Sequence, residues 1–73
     1  MTTVYSKNNC VQCKMVKRYL EAHDVPFQEI NIDEQPEKIA WLKSLGLVSV
    51  PVVFYQDDMI VGFNPDRLKA LAS

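Results

Sequence analysis

Apolar and polar positions alternate from Thr2 to Ser6, with Val4 and Tyr5 in a β-prone run, and predict a first strand. Lys7-Asn8-Asn9 is a polar connection. From Cys10 the period lengthens. Val11, Met15, Val16, Tyr19 and Leu20 fall on one helical face, and Lys14, Lys17, Arg18 and Glu21 on the other. Val25-Pro26 ends that helix, because proline cannot continue it. Alternation returns from Phe27 to Ile32, a second strand with Phe27, Glu29 and Asn31 on one side and Gln28, Ile30 and Ile32 on the other. A second helix starts in Asp33–Pro36, where a proline suits the first turn, and runs to Gly46 as its cap, with Ile39, Leu42 and Leu45 as its apolar seam. Val50-Pro51-Val52-Val53-Phe54-Tyr55 reads as a third strand entered through proline, Gln56-Asp57-Asp58 as a turn, and Met59-Ile60-Val61 as a short fourth strand. After Gly62-Phe63, Asn64-Pro65 starts a last helix, with asparagine as cap and proline at the first helical position. Leu68, Ala70 and Leu71 give that helix its buried side.

The resulting order is βαβαββα, with no linker, repeat or low-complexity tract. The first β-α-β segment implies a parallel pair with a right-handed crossover, and the last two strands a hairpin. The expectation is therefore an α/β fold, a four-stranded mixed sheet that is antiparallel at one edge and flanked by three helices. A length of 73 residues leaves room for one domain, 1–73, with one modest core.

Composition narrows the function classes. A net charge of -1 gives no reason to expect nucleic acid or an anionic membrane as partner. No apolar run approaches the ~20 residues of a membrane helix, and Met1-Thr2-Thr3-Val4-Tyr5 lacks the basic start and apolar stretch of a signal peptide. A cytoplasmic protein, with no demand for more than a monomer, is the expectation. The 2 cysteines lie three positions apart, so a bridge between them closes a tiny loop that constrains the unfolded chain little. Structural stapling is a poor account of such a pair. In a reducing compartment it points to redox or metal chemistry.

Cys10-Val11-Gln12-Cys13 falls where the first strand hands over to the first helix. A spacing of three puts both sulfurs on one side of the first helical turn, close enough to bond. The unpaired N–H groups and the dipole at a helix N-terminus favour an anion, which lowers the pKa of the first thiol. Cys10 is thus the expected nucleophile on a partner's disulfide. Cys13, further into the helix, resolves the mixed disulfide. Lys7, Lys14 and Lys17 either add positive potential or are ordinary solvated lysines. A closed zinc site wants four ligands, and two cysteines with a distant His23 do not supply them; zinc or an iron–sulfur cluster would need a second chain or an outside thiol. No metal is expected. His23 suits a surface position in the last turn of the first helix. A Cys/His hydrolase lacks an orienting network and leaves the second cysteine without a role.

Three segments, in order, resemble the NrdH-redoxins, small glutaredoxin-like proteins. Tyr5-Ser6-Lys7-Asn8-Asn9-Cys10-Val11-Gln12-Cys13-Lys14 is similar to their active-site segment, Val50-Pro51-Val52-Val53 to their cis-proline strand, and Val61-Gly62-Phe63-Asn64-Pro65-Asp66 to the S-G-F-R-P segment before their last helix. The resemblance implies a minimal thioredoxin fold and no cofactor beyond a redox-active Cys10–Cys13 disulfide. It also implies electrons drawn from thioredoxin reductase and passed to the large subunit of a class Ib ribonucleotide reductase. By position it makes Pro51 a cis-proline facing the cysteines and Val50 a backbone edge for a partner's extended segment. A trans proline starting a strand is the plainer reading of Pro51. Gly62 and Phe63 match the family, either as partner contacts or as a flexible backbone position and a core aromatic. The chain departs from the family at Asn64, in place of Arg, and at Val61, in place of Ser.

The alternative is a glutathione-dependent dithiol glutaredoxin. Those proteins hold glutathione partly with a Gly-Gly-x-Asp segment whose helix N-terminus binds a carboxylate. Here Phe63 stands in place of the second glycine, and Pro65 removes one donor. Gln12, where glutaredoxins often carry an aromatic, points the same way, although Lys7 could still meet a carboxylate. A non-catalytic binding module presenting Val50 and Phe63 would leave both cysteines unexplained. Trp41 is expected in or at the edge of the core. Tyr55 and Met59 carry no evident chemistry.

Overall fold

The computed structural model describes residues 2–72; Met1 and Ser73, the ends of the expected domain, lie outside the described residues. The element order is β1 (Thr2–Ser6), α1 (Val11–Ala22), β2 (Phe27–Asn31), α2 (Glu37–Ser44), β3 (Val52–Tyr55), β4 (Asp58–Val61) and α3 (Pro65–Ala72). The strands form a mixed sheet in the order β2-β1-β3-β4. β1 runs parallel to β2, with Val4 opposite Glu29, and antiparallel to β3, with Val4 opposite Val53. β3 and β4 form the hairpin, closed by Gln56-Asp57 between the paired Tyr55 and Asp58. Gln56 takes a left-handed φ of 53°, and Asp58 belongs to β4 rather than to the turn. Pro51 lacks an N–H for the ladder, and β3 starts only at Val52.

Strand alternation divides the core between the two faces of the sheet. On one face Val4, Val53 and Ile60 pack with Val16 and Leu20 of α1 and Leu68 of α3, with Tyr19, Val25, Phe27, Phe63 and Leu71 at the margin. On the other, Tyr5 and Val52 pack with Leu42 of α2 and Leu47. Each fully buried Val or Leu stabilises the fold by about 1.5–3 kcal/mol. Trp41, half-exposed, leans on Tyr5 and Phe54 with ring centroids 5.5 Å away in both cases.

The buried seam of α1 is Cys13, Val16 and Leu20, not the broader face expected from the apolar residues. Val11 is 71% exposed and Met15 40%. Positions 13, 16 and 20 follow the 3–4 spacing of one helical stripe, and positions 11 and 15 lie on the far side of the helix from it. Leu45, the C-cap of α2, is likewise exposed, and in α3 so is Ala70.

The exits of α1 and α2 are built alike. After α2 the N–H of Leu47 reaches the carbonyl of Leu42 at 3.0 Å, and that of Gly46 the carbonyl of Lys43 at 2.9 Å, with Gly46 at φ 81°. Leu42 and Leu47 are packed together, which completes a Schellman cap. After α1 the same two bonds join Val25 to Leu20 and Asp24 to Glu21, and Asp24 holds the left-handed position at φ 56°. His23, the C-cap residue of α1, stacks on Tyr19 with ring centroids 4.3 Å apart. No helix among the described residues is long and apolar enough to cross a membrane.

Candidate active site

Four chain segments meet at one end of the sheet because of strand direction. β1 and β2 are parallel and finish there, β3 starts there, and β4 returns there. The connection Lys7–Asn9, the start of α1, the Val50-Pro51 bond and Gly62 therefore gather at this end. The Gln56-Asp57 turn closes the opposite one.

Cys10 and Cys13 are joined by a disulfide, with Cα atoms 5.2 Å apart. Cys10 is the N-cap of α1, extended at φ -112° and ψ 106°, and its Sγ accepts the Cys13 N–H at 3.1 Å. Its carbonyl accepts the first helical bond, from Lys14 at 3.2 Å. The sulfur thus occupies the place usually filled by a Ser or Asp oxygen, where an orphan N–H and the helix dipole stabilise negative charge. No acidic residue stands in the first turn to oppose this. Cys10 is half-buried and Cys13 only 1% exposed, so the pair is asymmetric, with Cys10 the more accessible residue. A more accessible cysteine at a helix N-terminus, bonded to a buried one in the following turn, is a geometry suited to thiol–disulfide exchange.

Val11 and Gln12, between the cysteines, are exposed. The Val50–Pro51 bond is cis, Pro51 is buried and Val50 half-buried. Gly62, at φ 77°, donates its N–H to the Pro51 carbonyl at 2.8 Å, and a Cβ there would lie 3.8 Å from Gln12 Oε1. The segment before α3 is thereby tied to the cis-proline and placed beside the cysteine motif. Phe63 turns inward, edge-on to Tyr19 at 6.5 Å, so its place is at the core margin. Lys7 is exposed and, with Lys43, rims a small groove of about 80 Å³ whose apolar lining includes Ile32, Leu42, Leu47 and Val50. Lys14 is exposed. Lys17 instead pairs with Glu29 at 2.8 Å, and Ser6 Oγ donates to the same carboxylate oxygen at 2.6 Å. These two donors hold the Glu29 carboxyl below the usual glutamate value against the opposing effect of partial burial.

Asn64 caps α3, accepting the Arg67 N–H on its Oδ1 at 3.3 Å, and Pro65 stands at the first helical position. Arg67 in turn grips both oxygens of the Asp58 carboxylate at 3.0 and 2.9 Å, joining α3 to β4. Sequence reasoning missed three residues beside the motif. Asn8, Asn31 and Asp33 are linked by hydrogen bonds across the loops that follow β1 and β2. The only local signal was the Asn-x-Asp spacing at the end of β2, which suits a side-chain-capped turn.

Known proteins share this arrangement. The sequence pattern of the glutaredoxin family matches residues 2–60. The glutaredoxin-like protein NrdH of Lactococcus lactis is 51% identical over 72 residues, covering 99% of this chain and 100% of that protein. The solved NrdH-redoxin of Escherichia coli, a glutaredoxin-like protein with a thioredoxin-like activity profile, superposes with a TM-score of 0.92 at 38% identity, over 96% of this chain and 92% of that one. A buckwheat glutaredoxin solved with glutathione superposes with a TM-score of 0.75 at 27% identity, over 94% of this chain and 66% of that one. With its thioredoxin-like fold and its Cys10–Cys13 disulfide, the chain belongs to the glutaredoxin family, as an NrdH-type glutaredoxin-like thiol–disulfide oxidoreductase.

Proposed function

We propose that this protein is a monomeric cytoplasmic electron carrier, reduced by thioredoxin reductase and re-reducing the large subunit of a class Ib ribonucleotide reductase. In the dithiol form the Cys10 thiolate attacks the client's disulfide, forming a mixed disulfide and releasing one client thiolate. Cys13 then loses its proton and attacks Cys10 Sγ. The second client thiolate leaves, and the Cys10–Cys13 disulfide carries the oxidation away. Two electrons pass to the client, and the reductase returns two to the carrier. Val11 and Gln12, exposed between the cysteines, Gly62 beside Gln12, and Lys7 in the connection that leads to Cys10 form the client-facing surface, and Val50 offers its backbone to an extended client segment. Phe63, turned to the core margin, supports that surface from beneath.

The observation that carries this choice of reductant is the start of α3. A helix N-terminus offers a carboxylate its first N–H groups. Here Pro65 has none, that of Arg67 is taken by Asn64, and Asp66 brings a negative charge to the first turn. Glutathione's carboxylate finds little to hold it there. Lys7 and Lys43 at the groove are what favour the second reading, a glutathione-dependent glutaredoxin.

The test is reduction of the purified disulfide form with NADPH and thioredoxin reductase, in parallel with glutathione and glutathione reductase. Fast NADPH loss in the first and little in the second is the expected result. Efficient reduction by glutathione alone would overturn the reading.

A further inference from the structure

The connection that delivers Cys10 is held from a distance by a closed circuit of hydrogen bonds. The Asn8 N–H donates to Asp33 Oδ2 at 2.8 Å, the Asp33 N–H to Asn31 Oδ1 at 2.8 Å, and Asn31 Nδ2 to Asn8 Oδ1 at 3.0 Å. Each residue both gives and receives, and the circuit joins positions 23 and 25 apart in sequence. Beside it the Ile32 N–H donates to the Ser6 carbonyl at 2.8 Å, extending the β1–β2 pairing by one bond. The Asn31 carbonyl also accepts from Glu34 and Gln35, which ties the turn after β2 to the same anchor.

We propose that Asn8, Asn31 and Asp33 are positioning residues for the redox reaction, a clamp that keeps Cys10 Sγ on the N–H of Cys13 when the disulfide is open. The inference rests on the reading of Cys10 as the attacking thiol. In the oxidised protein the bond to Cys13 itself fixes Cys10. In the dithiol form that tether is gone, and the Cys10 side chain is held by the upstream chain together with the bond from the Lys14 N–H to the Cys10 carbonyl. Only Asn9, at a left-handed φ of 56°, separates the clamp from Cys10. The benefit of a helix N-terminus to a thiolate fades within one turn, so a small swing of Cys10 removes it. Asp33 therefore acts on Cys10 in two opposed ways. Its charge disfavours a nearby thiolate, whereas its hydrogen bond to Asn8 keeps the sulfur where a thiolate is favoured.

That opposition makes the proposal testable on the full reduced chain with limiting iodoacetamide. The rate is followed from pH 5 to 9, and the label is mapped by mass spectrometry. If the clamp positions Cys10, Asp33→Ala raises the pH at which Cys10 becomes reactive and slows its alkylation near neutrality about three- to tenfold, the range for one lost hydrogen bond. Asp33→Asn keeps an oxygen for the Asn8 N–H and loses the opposing charge, so its rate is at least that of the parent and its profile does not move to higher pH. Asn31→Ala, which breaks two bonds of the circuit and removes no charge, shifts the profile in the same direction as Asp33→Ala. It carries the test should Asp33→Ala fail to fold. A profile unmoved or shifted to lower pH in Asp33→Ala and Asn31→Ala, with only thermal stability reduced, would overturn the clamp. So would an Asp33→Asn profile equal to that of Asp33→Ala. Labelling at Cys13 in place of Cys10 would overturn the attacking-thiol reading and the clamp with it. Neither reductase nor client enters this assay, so a failure of the proposed electron route leaves its outcome intact.

Discussion

Gly62 joins β4 to α3 at the active-site end of the sheet, and Gly62→Ala separates backbone strain from steric clash. The residue sits at φ 77°, a region that costs an L-residue roughly 1–2 kcal/mol. Space is not a further cost, since the new Cβ would stand 3.8 Å from Gln12 Oε1, an ordinary contact. Alanine also narrows the unfolded ensemble, which offsets about 0.4–1 kcal/mol. The net destabilisation expected is therefore about 1 kcal/mol, or a fall in Tm of about 4–8 °C for a chain of this size. Gly46→Ala is the matched control. It has φ 81° and nothing within 4 Å of its Cβ, and it lies at the end of α2. Thermal and urea unfolding followed by circular dichroism should give both variants similar losses. A loss above ~3 kcal/mol at Gly62 alone would show a clash with the cysteine-motif segment. No loss at either site would show that the left-handed backbone relaxes freely. Either result refutes the reasoning.

The opposite substitution should help where the chain places a side chain in the same region: Gln56→Gly in the β3–β4 turn, at φ 53°, is expected to stabilise by about 0.5 kcal/mol in urea unfolding. Glu29 has a folded pKa below its unfolded value, so its contribution is fully present above the unfolded value of about 4.3 and is lost as pH falls through the folded one. Glu29→Gln should therefore flatten the acid side of the stability–pH profile between pH 5 and 3, measured by urea midpoints, and an unchanged slope would count against the Lys17 and Ser6 bonds. Leu20→Ala, at a fully buried position, should cost about 2–5 kcal/mol, whereas Val11→Ser should change unfolding by less than ~0.5 kcal/mol.

Turn chemistry and period made the element order legible. The passage from strand to helix at Cys10, Pro51 ahead of β3, and Asn64-Pro65 at the start of α3 are local signals, and each marks a real boundary. The facing of α1 was not legible in the same way. Its apolar positions admit two overlapping stripes, and Cys13 was read for its chemistry alone. Counted as a small hydrophobe, a type that is usually buried, it completes the 13–16–20 seam and leaves Val11 beside the disulfide in solvent. Asn9 and Asp24 are residue types that tolerate the left-handed region, a weaker signal than glycine, and Gln56 at φ 53° gave none. The circuit through Asn8, Asn31 and Asp33 depends on strand register. That register brings the ends of β1 and β2 together, and no spacing within one segment encodes it.

The central claim is that Cys10 attacks and Cys13 resolves. It is tested most directly with Cys13→Ala and Cys10→Ala, each incubated in reduced form with a disulfide-containing client. The account predicts that Cys13→Ala accumulates a stable mixed disulfide through Cys10, visible by non-reducing electrophoresis and mass spectrometry, and that Cys10→Ala accumulates none. Trapping through Cys13, or none in Cys13→Ala, would contradict it.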